Sequence, residues 1–229
     1  MKKLSVSCLV ALTGLAFTVR ADPAPRIVGY FTKEAPTVFE TKIKPFFTEQ
    51  TRKSCPQCQI RNLTPYSKSG TYDPAALPAA VEAVGSDVTF LFFDWNERAN
   101  EGNQKIRDAL SGKMTEGHLV VASAGVPPTN EGTCPLVNTL MGKIPNVLIL
   151  GELEEKDRLS AQCYYGPEML SAIRPPKEWI GRGFGPLYFV TRLATHWERR
   201  GPAEWGPYLK ARKAKTNRIW TGIEEFFPR

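Results

Sequence analysis

Histidine is scarce in this chain. Its 229 residues include two, His118 and His196, so any chemistry that needs an imidazole base rests on one of those rings. Long apolar runs are scarce as well. One opens the chain, Leu4 to Val19, and no later segment approaches the length of a membrane span. Cysteine pairs are few: Cys55-Pro-Gln-Cys58 stands alone, so the two-pair zinc pattern is incomplete. There is no internal repeat, no interdomain linker and no base-stacking module. What is present is the make-up of a folded domain, 42% hydrophobic and 23% charged, with 19 Pro, 18 Gly and five Cys. That balance excludes a disordered chain, a collagen-like chain and a miniprotein held by disulfides alone. The length fits one large α/β domain or two small ones, and without a linker one is the better count.

Met1-Lys2-Lys3 precedes the apolar run, and Val19 and Ala21 supply small residues at −3 and −1 before Asp22. This order predicts a secretory signal over 1–21 and a mature domain over 22–229, exported to a periplasmic or extracellular space. The competing reading, a retained anchor, meets Ser5, Ser7, Thr13 and Gly14 inside a run already short for a span. Cleavage removes Lys2, Lys3 and Arg20 and lowers the net charge from +7 to +4, with 27 basic and 23 acidic residues left. The excess lies at the C-terminus, where residues from Arg192 onward count nine basic and four acidic, in Arg199-Arg200 and the run Lys210–Lys215. A solvated helix face accounts for it. Contact with anionic lipid through this run is the alternative, and no nucleic-acid partner is expected for an exported chain.

Strand and helix patterns alternate along the mature chain. Arg26–Phe31 (RIVGYF) and Gln59–Tyr66 read as strands, with helical spacing over Val38–Thr51 despite Pro45. Asp73-Pro74 predicts a cap and first helical residue for a helix to about Val84. Val88–Phe93 (VTFLFF), His118–Ala122 and Asn146–Leu150 are apolar without alternation, as parallel strands covered on both faces should be. Asn100–Leu110 reads as a helix and Leu159–Tyr164 as an edge strand. Two C-terminal helices follow, near 186–200 and 204–226, the second disturbed at Gly206-Pro207. The fold class expected is a three-layer, doubly wound, mostly parallel α/β sheet. Ligands then bind beyond the carboxyl ends of the strands, after Phe31, Tyr66, Phe93 and Ala122.

Residues 84–168 resemble the middle of a subtilisin-like serine peptidase, in truncated form. The matching elements come in order: Val84-Gly85-Ser86-Asp87-Val88 into an apolar strand, the helix Asn103–Ala109, and the run Leu119-Val120-Val121-Ala122-Ser123-Ala124-Gly125. A Pro-containing loop, Pro145-Asn146-Val147, the acidic turn Glu154-Glu155-Lys156-Asp157 and Ala161-Gln162-Cys163-Tyr164-Tyr165-Gly166-Pro167 complete the likeness. The flanks match as an outline only.

The four functional groups that this resemblance implies are missing together. The expected Asp at the end of the first strand is replaced near Tyr30, and the stretch between Phe31 and Tyr66 that should carry the His contains none. Val126 stands where the oxyanion Asn belongs, and Phe184 or Gly185 where the Ser nucleophile belongs. Acyl transfer needs nucleophile, base and oxyanion donor together. No replacement triad is evident. His118 and Ser123 sit at opposite ends of one strand, roughly 16 Å apart at 3.3 Å per residue. His196 lies roughly 18 Å along a helix from Phe184.

Phe93, Asp94, Trp95, Ser123, Ala124 and Gly125 are the residues expected to line a peptide-binding edge, with no metal and no cofactor called for. The four cysteines left after cleavage suit an oxidising compartment. The resemblance brings the loops of Cys134 and Cys163 together as a bridge, and Cys55-Cys58 reads as a closed structural bridge, a thiol-exchange motif or a metal site. Two functions remain open. One is a non-catalytic protein that binds an extended peptide or protein partner on a decayed peptidase scaffold. The other is an active exported hydrolase of the serine endopeptidase type, or a thiol–disulfide protein using Cys55 and Cys58.

Overall fold

Runs of aromatic, leucine and β-branched residues form one parallel sheet. The computed structural model of the chain describes residues 25–125, 135–153, 159, 164–181, 183–197, 202–216 and 223–227. Strands β1 (Arg26–Phe31), β2 (Cys58–Asn62), β3 (Val88–Phe93), β4 (Leu119–Ser123), β5 (Leu148–Glu152) and β6 (Met169–Ile173) lie in the order β2-β1-β3-β4-β5-β6. Every neighbouring pair is parallel.

Alternate residues of each strand feed two separate cores. Val28, Tyr30, Phe90, Phe92, Val121 and Leu150 point into one layer, packed with the helical run of α1 (Pro36–Val38), a π-helical turn (Phe39–Ile43) and α2 (Lys44–Thr51). Helices α5 (Gly185–His196), α6 (Pro202–Thr216) and α7 (Ile223–Phe226) complete that layer. Ile27, Phe31, Leu91, Phe93, Val120 and Ile149 point the other way, onto α3 (Leu77–Glu82) and α4 (Gln104–Thr115). Both faces are covered, which explains why VTFLFF lacks alternation. Each fully buried phenylalanine contributes about 2–3 kcal/mol of apolar transfer. Among the described residues no helix is long and apolar enough to cross a membrane.

Several expected boundaries move, each for a local reason. The second strand stops at Asn62, whose side-chain oxygen accepts the Thr64 amide at 3.0 Å and turns the chain before Pro65. Asp73 does cap a turn, accepting the amides of Ala75 and Ala76 at 3.0 and 3.3 Å, but the regular helix begins at Leu77. Pro78 has no amide to give a longer helix and so sits in the first turn. Pro45 is tolerated because the turn before it widens, Lys44 N–H reaching back to the Phe39 carbonyl. β5 starts later than Asn146, which takes a left-handed φ of 70°. Leu159–Tyr164 falls mostly outside the described residues. Leu159 bridges Leu153 antiparallel, Tyr164 is in no strand, and among the described strands β6 is the edge beside β5. Helix α6 continues through Pro207, with Lys210 donating to Asn146 at 2.8 Å and Arg212 lying 5.3 Å over the Tyr208 ring.

From β1 the chain passes to β2 on one side and to β3 on the other. The carboxyl ends of β1 and β3 therefore flank the switch point at which such sheets bind ligands.

Candidate functional site

Tyr30 and Asp94 meet at that switch point. Each lies near the end of its strand, and both face the layer of α2 and α5. The Tyr30 phenol donates to Asp94 Oδ2, the Asp94 amide donates to the Phe31 carbonyl at 3.1 Å, and Thr32 gives the carboxyl a further hydrogen bond. Burial pushes the Asp94 carboxyl up to about 7, the hydrogen bonds from Tyr30 and Thr32 pull against it, and the neighbouring Glu34 adds to the rise. The Tyr30 phenol is held well above its ordinary value, first by burial and then by Asp94.

A cleft of about 700 Å³ opens over this pair, between the helical run 36–51 and the start of α5. Asp94, Tyr30 and Ser123 line it from the sheet, and Phe92, Phe46, Trp179, Phe184 and Leu187 supply apolar wall. Phe46, Trp179 and Phe184 form a mutual cluster, with ring centroids 4.6 to 5.0 Å apart. Glu34, Lys42 and Glu49 are exposed at the rim. No histidine lines the cleft. Ser123 Oγ accepts the Gly125 amide at 3.3 Å.

The start of α5 is closed from within. Glu152, 7% exposed at the end of β5, accepts the Gly181 amide at 2.9 Å and the Gly185 amide at 3.1 Å. Its carboxylate complements the helix N-terminus. A side chain on Gly185 has no space, since a Cβ there would lie 2.4 Å from the Ile173 carbonyl oxygen. Phe184 is buried against Phe46 and Trp179.

Of the expected peptide-edge residues, Asp94 and Ser123 line the cleft together and the others do not. Phe93 is fully buried on the opposite face, stacked on Phe31 at 4.6 Å. Trp95 is buried beneath Lys33, whose Nζ lies 4.4 Å from the ring centroid, and Ala124 is fully buried. Gly125, φ 78°, presses against the Asn96 backbone. The segment beyond Trp95 is already paired internally, Leu140 N–H to the Glu97 carbonyl and Ala99 N–H to the Asn138 carbonyl, each at 2.8 Å. Val126, Cys134 and Cys163 lie outside the described residues.

Both histidines are distant from the cleft. His118 sits by the amino end of β4 in a separate hollow, and His196 ends α5, stacked on Phe227 at 5.2 Å. Cys55 and Cys58 are buried and within bonding distance, with Cα atoms 5.3 Å apart, and Cys58 starts β2 at the amino edge of the sheet. Among the described residues no three His, Cys, Asp or Glu side chains gather in a metal-binding arrangement. The Tyr30–Asp94 contact and the Glu152 cap escape sequence reasoning, spanning 64 and 33 residues. One signal was available for the first. Strand alternation puts Tyr30 opposite Phe92, and hence on the face of Asp94.

No family model matches the sequence, and no curated protein matches it. Solved structures do. A cold-adapted subtilisin-like serine proteinase matches with a TM-score of 0.59 and 11% identity, over 82% of this chain and 82% of its own. The self-cleaved protease domain of PatA matches with a TM-score of 0.58 and 16% identity, over 88% of this chain and 95% of its own. The patellamide maturation protease PatA gives 0.55 and 14%, over 80% and 84%. At these identities the likeness is one of fold, and in fold this chain is subtilisin-like.

Proposed function

We propose that the protein is an exported pseudoenzyme that holds an extended peptide without cleaving it. The observation that carries this reading is the start of α5. There the Gly185 amide, a helix-terminal donor of the kind that stabilises an oxyanion, is already accepted by Glu152, and the residue has no room for a nucleophilic side chain. Phe184 fills the adjoining space with an aromatic ring, and no imidazole reaches Ser123 or Asp94. What the cleft retains is a 700 Å³ apolar recess with one carboxyl at its base, suited to hold a side chain of a peptide. Strand addition at 97–99 is unavailable, so recognition rests on that recess.

Incubating purified mature protein with a library of unstructured peptides tests this directly. Bound peptides should be recovered intact by mass spectrometry, whereas new termini that accumulate with time would refute it. Export is tested by N-terminal sequencing, which should begin at Asp22. A second reading, hydrolysis through Ser123, is favoured by a single observation: Asp94 titrates near neutrality and lines the same cleft.

A further inference from the structure

Resting on the peptide-binding reading, we infer that the cleft selects a basic side chain, an ammonium or guanidinium on an apolar stem, carried by the peptide. The charge of the cleft opposes that of the chain. Among the described residues three carboxyls, Asp94 within and Glu34 and Glu49 at the rim, line the cleft with one ammonium, Lys42, although the whole chain has 30 basic and 23 acidic residues. Among the described residues Asp94 takes part in no ion pair, and it lines the cleft. Its hydrogen bonds come from Tyr30 and Thr32, which fix it at the base of the recess.

The walls suit the stem. Phe46, Phe184 and Leu187 form an apolar wall behind the half-buried Trp179, whose ring suits the stem of a cation. A neutral apolar side chain would fill the same walls but leave Asp94 without a counter-charge. An acidic side chain would add like charge to three carboxyls. A lysine or arginine satisfies both walls and base.

Binding should also depend on pH. Among the described residues the groups that act on Asp94 are Tyr30 and Thr32 at the end of β1 and Glu34 in the loop after it, and Lys42 and Glu49 on the helical run line the same cleft. A bound cation favours the carboxylate, so affinity should rise as pH passes through about 7, where Asp94 ionises.

Isothermal titration of the mature protein with capped alanine–serine peptides differing at one central residue reads this out. At pH 8 the lysine and arginine peptides should bind at least tenfold tighter than the norleucine and glutamate peptides. Lowering the pH to 5.5 should remove most of the advantage, and Asp94→Asn should reduce the lysine peptide to the norleucine level. Glu49→Gln, an exposed change that leaves folding intact, should weaken the lysine peptide a few-fold. Norleucine and lysine peptides binding equally would overturn the cation selectivity and leave peptide binding standing. Agmatine binding while every peptide fails would retain the cation site and overturn the peptide reading. Failure of agmatine and of every peptide would overturn both.

Discussion

Glu152 at the end of β5 and Gly185 at the start of α5 are joined directly, the Oε2 atom accepting the Gly185 amide at 3.1 Å over a sequence separation of 33. The contact occupies a donor at the start of α5, and the Ile173 carbonyl closes the space where a side chain would sit. Gly185→Ser should therefore destabilise the fold by about 1–3 kcal/mol, the usual cost of overpacking, and confer no hydrolysis. Urea denaturation and a peptide-cleavage assay on the variant check both halves. A gain of activity would contradict the account, as triad members act as a unit.

Asp94 makes stability depend on pH with a defined sign. Its native carboxyl holds a proton up to about 7, against an ordinary value of 3.8, so the native state binds more protons than the unfolded state between those limits. Stability is thus lost as pH rises through that window and is flat above it. Asp94→Asn removes the cost, and relative to the natural protein it should gain about 1 kcal/mol or more between pH 4 and pH 8. Urea midpoints at the two pH values measure it. An equal offset at both would contradict the burial of this carboxyl.

Peptide mapping without reductant should show Cys55 joined to Cys58 and Cys134 joined to Cys163. A Cys58–Cys134 pair would contradict the approach of the two loops that the resemblance implies. With a sequence separation of 3, the Cys55–Cys58 loop is short, and replacing both by alanine should cost about 2 kcal/mol on the loop-entropy model. Peptide binding should be unchanged, since the pair lies at the amino edge of the sheet and the cleft at the carboxyl edge.

The sheet was legible where burial on both faces forces an unbroken apolar run. Arg26–Phe31 and Val88–Phe93 are strands over the expected residues, and Leu119–Ser123 is displaced by one from the run His118–Ala122. Met169–Ile173 was not, being a short stretch interrupted by Ser171 just beyond the segment that resembles the peptidase family. The site was half legible. Asp94 and Ser123 were placed by the rule that ligands bind beyond carboxyl ends. Phe93 and Ala124 adjoin those residues in sequence, but alternation sends them to the other face. Glu152 gave no local sign. Its role depends on a helix that follows a further strand, and that partner exists only once the sheet has formed.

A subtilisin-like fold that binds peptide without cutting it should leave an unstructured protein substrate intact. Purified mature protein should show no turnover above the blank, no labelling by a serine-directed fluorophosphonate, and no difference from a Ser123→Ala variant. Turnover abolished both by that inhibitor and by Ser123→Ala would make the protein a serine peptidase and rule out a pseudoenzyme.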